Sequence, residues 1–91
     1  MYKIDITKSA GKFISGLPPK QYRQVVNTVF RLRENPKPHD SKSLTGNSDY
    51  RRVDTGEYRI IYRIKADTVI IAVVGKRNDS EVYKEFNQLK S

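Results

Sequence analysis

A chain of 91 residues has room for a single domain with one modest core, which burial alone stabilises only marginally, so a stabilising partner fits. The absence of cysteine excludes a disulfide framework and a thiolate metal site, and fits a reducing compartment. Lysine and arginine outnumber the acids 18 to 10, for a net charge of +8. That points to a polyanion as partner, the plainer alternatives being a solvated basic surface or a patch that meets an acidic protein.

In chain order, Tyr2, Ile4 and Ile6 alternate with Lys3, Asp5 and Thr7, the period of a half-buried strand. This opening holds no apolar run long enough for a signal peptide or membrane span, so no membrane partner and a cytoplasmic location are expected. Ala10, Phe13, Ile14 and Leu17 follow helical spacing until Pro18-Pro19. Pro19 suits the first turn of a second helix, whose Tyr22, Val25, Val26, Val29 and Phe30 repeat the stripe until Asn35-Pro36. The two helices should lie antiparallel across a tight turn. Residues 37–49 are polar and rich in Pro, Ser, Gly and Asp, and read as a loop. Its His39 has the chemistry of a general base, but nothing nearby orients it, and a solvated loop histidine is the simpler reading.

A short strand follows over 50–53, then a turn at Asp54-Thr55-Gly56-Glu57 and a strand over 58–64. Lys65-Ala66-Asp67 turns the chain into a last strand over 68–75, rich in Val and Ile. Asn78 with Glu81 resembles a capping box for a final helix over 79–90, with Val82, Phe86 and Leu89 on one face. The expected fold is a single α+β domain over residues 1–91. It comprises an N-terminal strand, a two-helix antiparallel hairpin, a three-stranded antiparallel meander and a short C-terminal helix.

Half of the net charge lies in residues 51–77, where seven basic residues stand against three acids. Period two in the 58–64 strand puts Tyr58, Ile60, Tyr62 and Ile64 on one face, and Arg59, Ile61 and Arg63 on the other. The first face can pack on the helices. The second presents guanidiniums, which grip phosphate bidentately and stay charged at any working pH, although a merely solvated face has the same pattern. Arg77 sits just before the last helix, where free backbone N–H groups and the helix dipole favour an anion. Tyr83 lies one turn in, facing back toward that end; beside Val82 and three residues before Phe86, it has packing as its alternative role. Arg59, Arg77 and Tyr83 can thus converge on one phosphate, the constellation of a small RNA-cleaving enzyme. Asp54 and Glu57 are either candidate bases or ordinary turn residues. One histidine, no cysteine and no clustered carboxylates offer no metal site, and no cofactor is expected.

The residues Lys42-Ser43-Leu44-Thr45-Gly46, Tyr50-Arg51-Arg52, Gly56-Glu57-Tyr58-Arg59-Ile60-Ile61-Tyr62, Val74-Gly75-Lys76-Arg77 and Val82-Tyr83 carry a resemblance by their order and spacing. Across nearly the whole chain they resemble the RelE branch of the RelE/ParE toxin superfamily. The resemblance implies a RelE-like fold and the toxin half of a type II toxin–antitoxin pair. It implies a ribosome-dependent mRNA interferase, which cuts mRNA in the A site by driving the 2′-hydroxyl onto the adjacent phosphate without metal. The implied partners are a cognate antitoxin, in a hetero-oligomer, and the ribosome with its mRNA.

By position, Arg59 matches the family's strand arginine that stabilises the phosphate, and Arg77 the one that assists the leaving oxygen and transition-state charge. Tyr83 matches the tyrosine that serves as base or orients the 2′-hydroxyl. The family's two strand lysines, one residue apart, are here the adjacent Arg51-Arg52. Counting back from Arg59 gives Arg52 the second lysine's place and Tyr50 the first's, whereas a one-residue gap gives Arg51 the first's. Adjacent strand residues point to opposite faces, and Arg52 is taken as the catalytic one. Because arginine is not deprotonated in practice, proton transfer falls more heavily on Tyr83. Lys42, Arg51, Arg63 and Lys76 are candidate contacts to the RNA. Two other functions suit the scaffold: a ParE-like gyrase poison, which often lacks the Arg and Tyr constellation, and a non-catalytic basic RNA-binding module, which would tolerate loss of Tyr83.

Overall fold

A computed structural model describes residues 1–44, 47–78 and 81–90, and their side chains except those at 47, 48, 81, 85 and 88–90. In chain order the elements are β1 (Lys3–Ile6), α1 (Lys8–Ser15), α2 (Pro19–Glu34), β2 (Lys42–Leu44), β3 (Asn47–Thr55), β4 (Tyr58–Lys65), β5 (Thr68–Lys76) and α3 (Glu81–Lys90). The strands form one five-stranded sheet in the order β1-β5-β4-β3-β2, antiparallel except for β1 beside β5. The expected meander is its centre. β2 and the start of β3 occupy part of the stretch expected to be loop, because a short edge strand is defined by its partner and not by its own residue pattern.

Thr7 starts α1 by accepting from the Ala10 N–H at 3.2 Å, and the helix ends at Gly16, so Leu17 lies just beyond it. α2 begins at Pro19 as expected, but its buried residues are Val25, Thr28, Val29 and Leu32. Tyr22 and Phe30, expected on the stripe, are 43% and 52% exposed. Both stripes obey helical spacing, and contact with the sheet selects between them: Thr28 Oγ1 donates to Thr55 Oγ1 at 2.9 Å in the interior.

The apolar burial is divided between two faces of the sheet, where one core was expected. On one face Ala10, Ile14, Val25, Val29 and Leu32 of the helix pair meet Tyr58, Ile60 and Tyr62 of β4. On the other, Val82 and Phe86 of α3 cover Leu44, Ile61, Ala72 and Val73. Ile61, which shares its face with Arg59 and Arg63, is therefore fully buried under α3.

A β-bulge sets the phase of β5. Ile61 pairs with Val73 but Tyr62 pairs with Ile71, which leaves Ala72 as an extra residue. Val69 and Ile71 face the helix pair before it, and Val74 does so after it. The Thr7 hydroxyl donates to the Ala72 carbonyl at 2.7 Å and the Thr7 N–H to that of Ile71 at 3.1 Å, tying the bulge to the start of α1. Beyond the bulge Val73 and Gly75 turn to the α3 side, and the same alternation carries Arg77 there. An unbulged strand would send Arg77 to the opposite face.

Two glycines serve close approaches. Gly56, at φ +60°, makes the two-residue turn that pairs Thr55 with Tyr58 and so sets the β3–β4 register. A Cβ on Gly75 would stand 3.0 Å from the Val82 Cβ, so the bare backbone there lets α3 sit down on the sheet. The side chains of Glu81, from the expected capping pair, and of Leu89 fall outside those described. No helix among the described residues is long and apolar enough to cross a membrane.

Candidate active site

The hairpin register decides which side chains meet. Asp54 pairs with Arg59 across β3 and β4, and Arg52 pairs with Ile61. All of these therefore look to the α3 side, while Arg51, opposite Tyr62, looks to the helix-pair side. Lys42 pairs with Arg52 and shares its face, exposed. Lys76 pairs with Tyr58 and so points to the other face, also exposed.

Arg59 is the centre of the constellation. Its Nε donates to Asp54 Oδ1 at 2.7 Å and its Nη2 to Asp54 Oδ2 at 3.1 Å, a bidentate fork. Its Nη1 donates to the Tyr83 hydroxyl, and its guanidinium carbon lies 5.7 Å from the Tyr83 ring centroid. Only 15% of the Arg59 side chain is exposed, so this pairing is partly shielded from solvent. Arg77 approaches from the turn after β5: its backbone N–H donates to the Glu57 carbonyl at 2.9 Å, and its Nη1 stands 3.8 Å from Asp54 Oδ2. Tyr83 and Arg59 thus touch directly, whereas Arg77 joins them through the Asp54 carboxylate.

Asp54, expected in a four-residue turn as a candidate base or an ordinary turn residue, instead lies in β3, which runs on to Thr55, and is the ion-pair partner of Arg59. The usable signal was the two-residue turn at Gly56-Glu57, which places residue 54 opposite residue 59. The hydrogen bonds from Arg59 hold the Asp54 carboxyl below its ordinary range, against the effect of its partial burial, and the charges of Arg59, Arg52 and Arg77 add to the lowering. The Asp54 hydrogen bond in turn raises the Arg59 guanidinium above its ordinary value. Asp54 is thus ionised at neutral pH and a weak base, tied up by its partner.

The remaining basic candidates are spread out. Arg51 ties down the approach to β2: its Nη2 donates to Ser41 Oγ at 2.9 Å and its Nη1 to Ser43 Oγ at 3.4 Å. Arg63 lies 5.9 Å from the Tyr50 ring centroid, and Tyr50 packs edge-on against Phe86 with ring centroids 4.8 Å apart. Arg51 and Arg63, with Lys37 and Lys65, line an open groove of about 760 Å³ that none of Arg59, Arg77 and Tyr83 borders. His39 is exposed on the loop before β2. Among the described residues no three His, Cys, Asp or Glu side chains cluster as a metal site.

An N-terminal strand, a helix pair on one face of this sheet and a C-terminal helix on the other are the RelE-like arrangement of elements. The family described as "ParE toxin of type II toxin-antitoxin system, parDE" matches residues 4–81. A curated Methanocaldococcus jannaschii protein, whose given name is "Putative toxin RelE1", is 29% identical over 75 residues, covering 79% of this chain and 83% of that one. The toxin–antitoxin complex RelBE2 from Mycobacterium tuberculosis contains a chain 30% identical, with a TM-score of 0.72 over 84% of this chain and 98% of that chain. A mutant Escherichia coli RelE toxin in the free state is 25% identical, with a TM-score of 0.80 over 97% and 96% of the two chains. The chain belongs to this family, on its RelE-like branch, and is the toxin of a RelBE-type system.

Proposed function

We propose that this toxin is a ribosome-dependent, metal-independent endoribonuclease that cleaves mRNA in the A site. The observation that supports it most is the contact of Arg59 with Tyr83, with Arg52 and Arg77 gathered on the same side around Asp54. In the reaction the substrate's own 2′-oxygen attacks the neighbouring phosphorus and the bond to the 5′-oxygen breaks. The 2′-hydroxyl loses its proton, the departing oxygen gains one, and the ends are a 2′,3′-cyclic phosphate and a 5′-hydroxyl. Arg59 holds the phosphate and offsets its growing charge, Arg77 acts at the leaving oxygen, and Arg52 adds a third cation. Tyr83 orients the 2′-hydroxyl or takes its proton, and Lys42 beside Arg52 extends the basic strip along the RNA.

Orientation is assigned to the ribosome, because Asp54 is engaged as an ion pair and His39 sits on an exposed loop, which leaves no strong base in place among the described residues. An antitoxin is the second partner: the Mycobacterium tuberculosis relative is solved as a toxin–antitoxin complex, and an acidic segment suits the Lys42, Arg52 and Arg77 side of the sheet. The test is expression without antitoxin, with RNA ends mapped and purified protein incubated with free RNA. Cleavage of translated mRNA with 5′-hydroxyl ends, and free RNA left largely intact, is the expected result. DNA breaks at gyrase with mRNA intact would sink this reading in favour of the ParE-like one.

A further inference from the structure

Arg59 has no open bidentate edge for a phosphate on the side that Asp54 occupies. Its Nε and Nη2 both donate to the Asp54 carboxylate, and its Nη1 to the Tyr83 hydroxyl. Two carboxylate oxygens fill that edge as two non-bridging phosphate oxygens would, since a guanidinium fork matches both anions. The same carboxylate lies within 3.8 Å of Arg77 and feels the charge of Arg52, so it stands where three cations converge.

We infer that Asp54 is an internal phosphate surrogate: in the free toxin it fills the Arg59 fork and holds the arginine cluster together, and the scissile phosphate must displace it. This rests on the endoribonuclease reading. Without the carboxylate, Arg52, Arg59 and Arg77 would repel one another on a partly shielded surface, and Arg59 would lose the contacts that orient it. With the carboxylate still in place, an incoming phosphate would meet a like charge on the same guanidinium. The arrangement therefore gives a pre-ordered cluster that admits only a phosphate brought with enough binding energy from elsewhere, as an A-site mRNA is by the ribosome. Asp54 is a positioning residue in this account, since it touches Arg59 and not the reacting atoms.

The test compares wild type with Asp54→Asn and Glu57→Gln, titrated at low salt with a fully 2′-O-methylated single-stranded RNA, which binds but cannot be cleaved. Glu57 is exposed in the turn of the same hairpin, so its substitution removes one charge without freeing Arg59. Asp54→Asn should bind about three- to tenfold more tightly than wild type, the range for release of a partly exposed ion pair, and Glu57→Gln within about twofold. On ribosomes, Asp54→Asn should lower KM more than it changes kcat. Equal effects of the two substitutions, or weaker binding by a folded Asp54→Asn, would show that Asp54 is a fixed support and overturn the inference.

Wild type alone supplies a second measurement should the variant fold poorly. Titration with the 2′-O-methylated RNA, whose other phosphates bind along the basic strip, should move the Arg59 Nε–H and Asp54 carboxyl NMR signals together, and an unmoved pair at saturating RNA would also overturn it. Failure of wild type to cleave mRNA on ribosomes would sink the endoribonuclease reading while leaving both binding measurements interpretable.

Discussion

Tyr83 and Arg77 meet the Arg59–Asp54 pair by different routes, one through the guanidinium and one through the carboxylate, and their substitutions should differ accordingly. Arg77→Ala removes a preorganised donor where charge develops, and ribosome-dependent cleavage should fall on the order of 10²-fold or more. Tyr83→Phe keeps the ring against the apolar cluster under α3 and deletes only the hydroxyl, so a strong loss of cleavage with an unchanged melting curve is expected. Arg52→Ala should damage cleavage more than Arg51→Ala. The latter should instead cost stability, about 0.5–1.5 kcal/mol, because its hydrogen bonds to Ser41 are structural. The Asp54 pair also fixes an acid response. Its carboxyl titrates below the ordinary value in the folded state, so between that lower value and the ordinary one the unfolded chain binds more protons. Stability from this pair is therefore complete above about pH 4 and lost as pH falls further, and Asp54→Asn should flatten that part of a urea-midpoint curve. The pairing was not legible from a four-residue turn over 54–57, which leaves Asp54 outside the ladder; only the two-residue Gly56-Glu57 turn sets it opposite Arg59.

At the scale of elements, α3 depends on Gly75. Adding a methyl group there crowds Val82, so Gly75→Ala should either destabilise the fold by about 1–3 kcal/mol or lift α3 and separate Tyr83 from Arg59. Thermal unfolding with a parallel cleavage assay distinguishes the two, and an unaffected protein would count against the close docking. The β5 bulge belongs to the same level: it turns Arg77 to the site side, and nothing in the run of Val and Ile announces it. The shifted stripe of α2 has the same origin, because Tyr22 and Phe30 satisfy the helical period as well as Thr28 and Leu32 do.

For the whole molecule, the second apolar cluster is small, with Val82 and Phe86 as the described residues of α3 fully committed to it. Such a helix is the piece most easily exchanged for a partner's. An antitoxin segment that covers the basic side of the sheet should displace or pin α3, read as a change in hydrogen exchange over residues 81–90 on complex formation. Equal protection with and without antitoxin would count against displacement.

Alternation in 58–64, helical spacing in the first 35 residues, the prolines at 18, 19 and 36 and the order of the Arg and Tyr motifs determined the element types and the toxin family from the amino-acid sequence alone. Those signals are local or ordered along the chain. The parallel β1–β5 pairing, the edge strand β2, the division of the interior into two clusters and the Asp54 bridge were decided only by tertiary structure. Each depends on a partner distant in sequence or on a phase shift in β5, and a residue's own neighbours carry no record of either.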